Sequence, residues 1–258
     1  MKPTEKYENR QTGADESNVL LLKPAELLAE VAQRQTHQLG KGIICRTDYR
    51  PLDRTPFEIV VDATEGFLPL WGENLVLRWR FNTASLSIFQ NPDAIKEKTR
   101  DLLNSAIAAW ADAAPIRFTE EADNSDFEMV IEKNDDCDPR GCTLAQSFFP
   151  DGGRHQLYVY PKMFDQSKKE QVDTLTHEIG HIFGLRHFFA PNQETRWPSE
   201  IFGEHKPFSI MNYGANSELT DEDRRDLKKL YTSAWNKDLT QINGTPIKFV
   251  RPFHYLET

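Results

Sequence analysis

The segment His177-Glu178-Ile179-Gly180-His181-Ile182-Phe183-Gly184-Leu185-Arg186-His187 constrains this chain more than any other. Ser167 and Glu170 stand ahead of it in capping-box register. Val172, Leu175, Ile179 and Ile182 then recur at helical spacing and predict a buried stripe on a helix over 167–184. On such a helix His177 and His181 lie one turn apart and differ by about 40° in azimuth. Both imidazoles can reach one ion at roughly 2.0–2.1 Å. Gly184 lacks a Cβ and can take the positive φ that turns the chain back. That turn would bring His187 round as a third ligand.

Three protein nitrogens leave a fourth position for water, the pattern of a catalytic rather than a structural zinc site. Glu178 follows the first ligand without sharing its direction, so its carboxylate can hydrogen-bond that water. Zinc lowers the pKa of the water towards neutrality, and Glu178 would take its proton as general base. The plain alternative is a helix with exposed histidines and an incidental glutamate.

The rest of the chain bounds the function. At 258 residues it suits one large domain, or one domain with an extension. Its formal net charge of -9 disfavours nucleic acid and anionic membrane surfaces as partners. No apolar run approaches the roughly 20 residues that span a bilayer. The first apolar run, Val19-Leu20-Leu21-Leu22, is too short for a secretory core. No nucleic acid partner and no membrane span are therefore expected, and the chain is read as a monomer.

Residues 1–17 are polar, and 19–38 carry Leu20, Leu21, Ala25, Leu28 and Val31 at helical spacing. Phe57 to Val61 reads as a strand among prolines and glycines. Leu75 to Phe81, Ile116 to Phe118, Phe127 to Ile131 and Leu157 to Tyr160 read as further strands. Pro92 to Ala113 reads as a long helix with Ile95, Leu102, Leu103, Ile107 and Trp110 on one side. The order of helices and strands predicts an α+β or mixed α/β fold. We divide the chain into 1–70, an N-terminal extension or possible propeptide, and 71–258, a catalytic domain.

The histidine segment followed by Ser209-Ile210-Met211-Asn212-Tyr213-Gly214 resembles the signature of the metzincin zinc peptidases, with its methionine turn. The resemblance implies a zincin fold. Its elements are a twisted, mostly parallel sheet, an active-site helix and a C-terminal helix. It also implies an endopeptidase with Met211 as an apolar floor beneath the metal. Within the clan the chain is similar to matrixins and serralysins over roughly residues 75–231. Leu144-Ala145-Gln146-Ser147-Phe148-Phe149-Pro150 resembles the matrixin edge strand that pairs with extended substrate. Leu219 to Tyr231 resembles the family's C-terminal helix, with Thr220 as N-cap and three acids in its first turn.

Tyr213 stands where astacins and serralysins carry a tyrosine that ligates the metal or stabilises the oxyanion; a packed tyrosine is the alternative. The chain also departs from the family. Phe188 follows the third histidine, where matrixins carry a small hydroxylated residue and serralysins a proline. Gln146 replaces an expected structural-zinc histidine, and Asp135-Asp136-Cys137 replaces the loop that carries others. Calcium on Asp135, Asp136, Asp138 or Asp151 is a weaker expectation.

Cys137 and Cys142 bracket a Pro-Gly turn, where a small disulfide and two reduced thiols are both open. Matrixin propeptides use a cysteine thiolate as a fourth zinc ligand, a role open to Cys45, although its surroundings do not reproduce the family motif. The resemblance favours export. Two rivals stand beside the endopeptidase: a catalytically silent zinc-binding interaction module, and a deacylase acting on another amide. An intact Glu178 disfavours the first, and a peptide-binding edge at 144–150 the second.

Overall fold

The computed structural model describes residues 43–44, 59–62, 66–139, 141–187, 199–202, 209–211 and 217–256. In chain order the strands begin with β1 (Ile43–Ile44), β2 (Ile59–Asp62), β3 (Leu68–Trp71) and β4 (Val76–Phe81). Helices α1 (Thr83–Leu86) and α2 (Pro92–Trp110) follow, then β5 (Arg117–Glu120) and β6 (Phe127–Ile131). Next come β7 (Asp136–Asp138), β8 (Gly141–Thr143), β9 (Ala145–Gln146) and β10 (His155–Val159). Helices α3 (Pro161–Phe164) and α4 (Lys168–Ile182) lead to β11 (Leu185–Arg186) and β12 (Ser199–Phe202). The chain ends with α5 (Asp221–Trp235), β13 (Gln241–Ile242) and β14 (Thr245–Val250).

The main sheet has the order β5-β4-β6-β10-β9. Its first four strands run parallel, and β9 pairs antiparallel to β10 at the edge. The expected mostly parallel sheet, with an active-site helix and a C-terminal helix, is thus present in a mixed α/β arrangement. Leu77, Phe127, Met129, Leu157 and Val159 of this sheet are buried, as are Ile95, Leu103 and Trp110 of α2. Leu175, Ile179 and Ile182 complete the core from α4, while Val172 is only partly buried against it.

Element ends shift for local reasons. Asn91 caps α2, its side chain accepting from the Ala94 N–H. The helix stops at Trp110 rather than Ala113, because Ala111 takes φ 49° and the chain tightens into a 3-10 turn over Ala111–Ala113. Helix α4 stops at Ile182, two residues short of the expected end, where Phe183 and Gly184 turn the chain. The helix expected over 19–38 lies outside the described residues.

Strand β3 and the β13–β14 hairpin were not expected from periodicity, whereas β2 answers to the strand expected over Phe57 to Val61. Strand β3 pairs in parallel with β14, and Leu68, Leu70 and Trp71 are fully buried. Strand β2 lies between β11 and β12 in a three-stranded antiparallel sheet. The segment after α5 folds back as the β13–β14 hairpin and ends with His254 against Asp126. A cut at residue 70 would therefore pass through a core strand.

Candidate metal centre

Helix α4 opens on a complete capping box. The Ser167 side chain accepts from the Glu170 N–H, and the Glu170 carboxylate accepts from the Ser167 N–H. Near the other end, His177 and His181 project from adjacent turns. Gly184 follows with φ 89°, and its N–H donates to the His181 carbonyl at 2.8 Å. The chain then runs through β11 to His187. Both His181 and His187 are 0% exposed, and Glu178 is 2% exposed.

The three imidazoles converge. His177 Nε2 lies 3.1 Å from His181 Nε2 and 3.3 Å from His187 Nε2. One ligand atom from each histidine lies within 4.8 Å of the others, the only such group of three or more metal-binding side chains among the described residues. The opposite ring nitrogens show why. His177 Nδ1 donates to the Ile210 carbonyl at 2.7 Å, and His181 Nδ1 donates to the Leu185 carbonyl at 2.7 Å. A carbonyl only accepts, so each Nδ1 carries the proton and each Nε2 presents a lone pair. Burial, then the neighbouring His181, pushes His177 down to about 3, so it is neutral at ordinary pH. Neutral nitrogens crowded lone pair to lone pair fit a shared cation. An all-imidazole donor set suits zinc.

The floor is equally specific. Met211 is buried beneath α4, and a Cβ on Gly180 would overlap its Sδ and meet Trp110 at 3.3 Å. Gly180 is thus glycine because the methionine occupies the space a side chain would need. Asp223, in the first turn of α5, accepts from Ile210 N–H at 3.4 Å and from Thr220 N–H at 2.9 Å. Ile210, whose carbonyl accepts the hydrogen bond from His177, is therefore tied through its own N–H to the start of the last helix.

The walls come from three further elements. Trp71 Nε1 donates to the Ile182 carbonyl at 2.6 Å, and Tyr231 OH donates to the Phe183 carbonyl at 2.9 Å. Both satisfy carbonyls left open at the end of α4. Phe149 packs edge-on against His181 with ring centroids 5.5 Å apart. Ser147 Oγ donates to the Glu178 carbonyl at 2.8 Å, fixing the segment after β9 to the helix.

With this geometry established, the matrixin family profile matches residues 78–232, more than half of the chain. The chain belongs to the matrixin family. It is similar to rat stromelysin-3, 25% identical over 181 residues, covering 66% of this chain and 34% of the relative. Human matrix metalloproteinase-26 is 23% identical over 175 residues, covering 63% of this chain and 62% of the relative. Serralysin of Photorhabdus sp. is 26% identical over 155 residues, covering 55% of this chain and 31% of the relative. The chain spans about a third of stromelysin-3 and of serralysin. Matrixins are zinc-dependent metallopeptidases, and the triad of this matrixin has the donor set for that ion.

The other expected residues divide. Tyr213 and Cys45 lie outside the described residues. Cys137 and Cys142 form a disulfide that closes the β7–β8 hairpin. The proposed calcium carboxylates are used separately. Asp135 accepts from Lys162 N–H, Asp136 from Thr143 Oγ1, Asp138 from Gly141 N–H and Asp151 from Gly153 N–H. His155 stacks on Phe148 with ring centroids 4.3 Å apart. Sequence reasoning missed Trp71, Ser147, Asp223 as a support for Ile210, and Tyr231. Ser147, Asp223 and Tyr231 stood only as members of the edge segment at 144–150 and of the C-terminal helix, without these contacts.

Proposed function

We propose that this matrixin is a zinc endopeptidase in which His177, His181 and His187 hold the metal and Glu178 is the general base. The observation that carries the reading is the convergence of three imidazoles, two of which have Nε2 freed of its proton by a carbonyl on the far side of the ring. Zinc, when bound, polarises a substrate carbonyl and lowers the pKa of a coordinated water towards neutrality. The protein supplies the remainder. Glu178 accepts the proton from the attacking water and returns it to the leaving amine nitrogen. Buried surroundings keep competing water away from the carboxylate.

Substrate is an extended peptide lying along β9. That strand pairs with β10 on one side and is the edge of the main sheet. Backbone hydrogen bonds to such an edge bind a strand of any sequence, leaving side-chain pockets to select it. Tyr213, two residues beyond Met211, is proposed as an oxyanion donor or further metal ligand. Replacing it with phenylalanine should lower kcat with little change in KM. The Cys137–Cys142 disulfide supports work in an oxidising compartment, hence export. No helix among the described residues is long and apolar enough to cross a membrane. Cys45 is proposed as a latency ligand, so Cys45→Ala should raise the activity of the full chain; unchanged kinetics would count against it.

The test is hydrolysis of a mixed peptide library by the zinc-loaded protein, stopped by a chelator and restored by added zinc. Cleavage inside peptides, reversible in this way, supports the reading. One zinc per chain with no cleavage, even after removal of residues 1–58 and with them Cys45, favours a silent binding module.

A further inference from the structure

Strand β2, drawn from the N-terminal part of the chain, pairs with the short strand that delivers the third histidine. Leu185 lies opposite Val61, and Arg186 lies opposite Val60. On its other side β2 pairs with β12 over Ile59 to Asp62. It is therefore the central strand of its sheet. Val61 and Leu185 are both 0% exposed and belong to the main core.

Leu185 has two jobs at once. Its carbonyl accepts a hydrogen bond from His181 Nδ1 at 2.7 Å. It also stands two residues before His187 in a chain that has just left Gly184 at φ 89°. A glycine turn is a poor determinant of direction by itself, because many backbone angles are open to it. A two-residue strand has little strength of its own. The direction of β11 must come from its partner, and that partner is β2.

We propose that β2 is a permanent positioning element of the metal centre, holding Leu185 so that His181 and His187 present their Nε2 atoms to one ion. The inference rests on the zinc-site reading above and deepens it. Residues from Ile59 onward belong to the catalytic unit. Any activating cleavage of the N-terminal segment falls upstream of Ile59, not at residue 70. Strand β3 points the same way, since its pairing with β14 places Trp71 against the end of α4.

The test uses the full chain with two inserted protease sites, one between Ile44 and Ile59 and one between Asp62 and Gly66. Cutting both frees a short segment that contains β2 alone. Zinc affinity is read by chelator competition, and ligand geometry by the visible spectrum of the cobalt-substituted protein. Retention of the excised strand through gel filtration supports the proposal. So does its loss with a weakening of zinc affinity by about ten- to a hundredfold, the usual effect of removing an outer support of a ligand. Loss of the strand with affinity and cobalt spectrum unchanged overturns it. A second variant, Val60→Pro, removes a ladder donor from the central strand. It should weaken zinc binding and shift the cobalt spectrum, while Val60→Ile restores both; Val60→Pro with unaltered values also overturns the proposal. Peptide cleavage by the uncut chain is measured alongside. Failure there, with tight zinc binding that depends on β2, would count against the endopeptidase reading and leave this one standing.

Discussion

Ser147 Oγ donates a 2.8 Å hydrogen bond to the carbonyl oxygen of Glu178. This joins the edge of the sheet, where peptide binding is proposed, to the residue assigned the proton transfer. Both side chains are buried, so the bond is shielded from exchange with water. Such a bond contributes about 1 kcal/mol net. If it sets the height of the edge relative to the helix, Ser147→Ala should lower kcat/KM roughly fivefold. Zinc content should not change. A variant with wild-type kcat/KM would remove Ser147 from the account.

Gly180→Ala tests the methionine floor. The new methyl group overlaps Met211 Sδ. Overpacking of this kind costs about 1–3 kcal/mol. Thermal unfolding of the zinc-free protein should fall by roughly 2–4 °C for each kcal/mol lost. Pairing it with Met211→Ala should recover part of the loss, which melting curves of the single and double variants would show.

The pH dependence of the zinc-free chain follows from His177. Burial holds its folded pKa near 3, below the ordinary histidine value of 6.5. Between those values the unfolded chain binds the extra proton, so stability rises with pH there. The contribution is complete above about pH 6.5 and is lost progressively as pH falls towards 3. Melting temperature should decline over that window in wild type and decline less in His177→Leu.

Reduction of Cys137–Cys142 should be mild. The two cysteines are five positions apart, so the disulfide closes a short loop. Chain-entropy reasoning gives about 2 kcal/mol for a loop of that size. Denaturant midpoints with and without reductant should differ accordingly. Zinc stoichiometry should stay at the unreduced value, since neither cysteine belongs to the histidine group.

The centre of the molecule was legible in its sequence because helical periodicity ties residues that are near in the chain. His177, His181 and the stripe of Leu175, Ile179 and Ile182 all follow from 3.6 residues per turn. Gly184 announced the turn, and Thr220 announced the cap of α5. What stayed hidden were contacts between distant segments. Trp71 meets Ile182 across 111 residues, and Tyr231 meets Phe183 across 48. Strand β11 is too short for an alternating pattern to show, and the pairing of β2, which was itself legible as a strand, depends on the whole fold. The Ser147 hydroxyl has no local signature at all, because its partner is a backbone carbonyl on another element.

The central claim is that Glu178 moves the proton at a zinc site built by the three histidines. The most direct measurement is the hydrolysis rate of one library-selected peptide by wild type and by Glu178→Ala, with zinc content determined on the same samples. Equal zinc in both proteins and a rate lower by about 10²–10⁴ in the variant are expected. A Glu178→Ala protein that binds zinc fully and cleaves at the wild-type rate would contradict that claim.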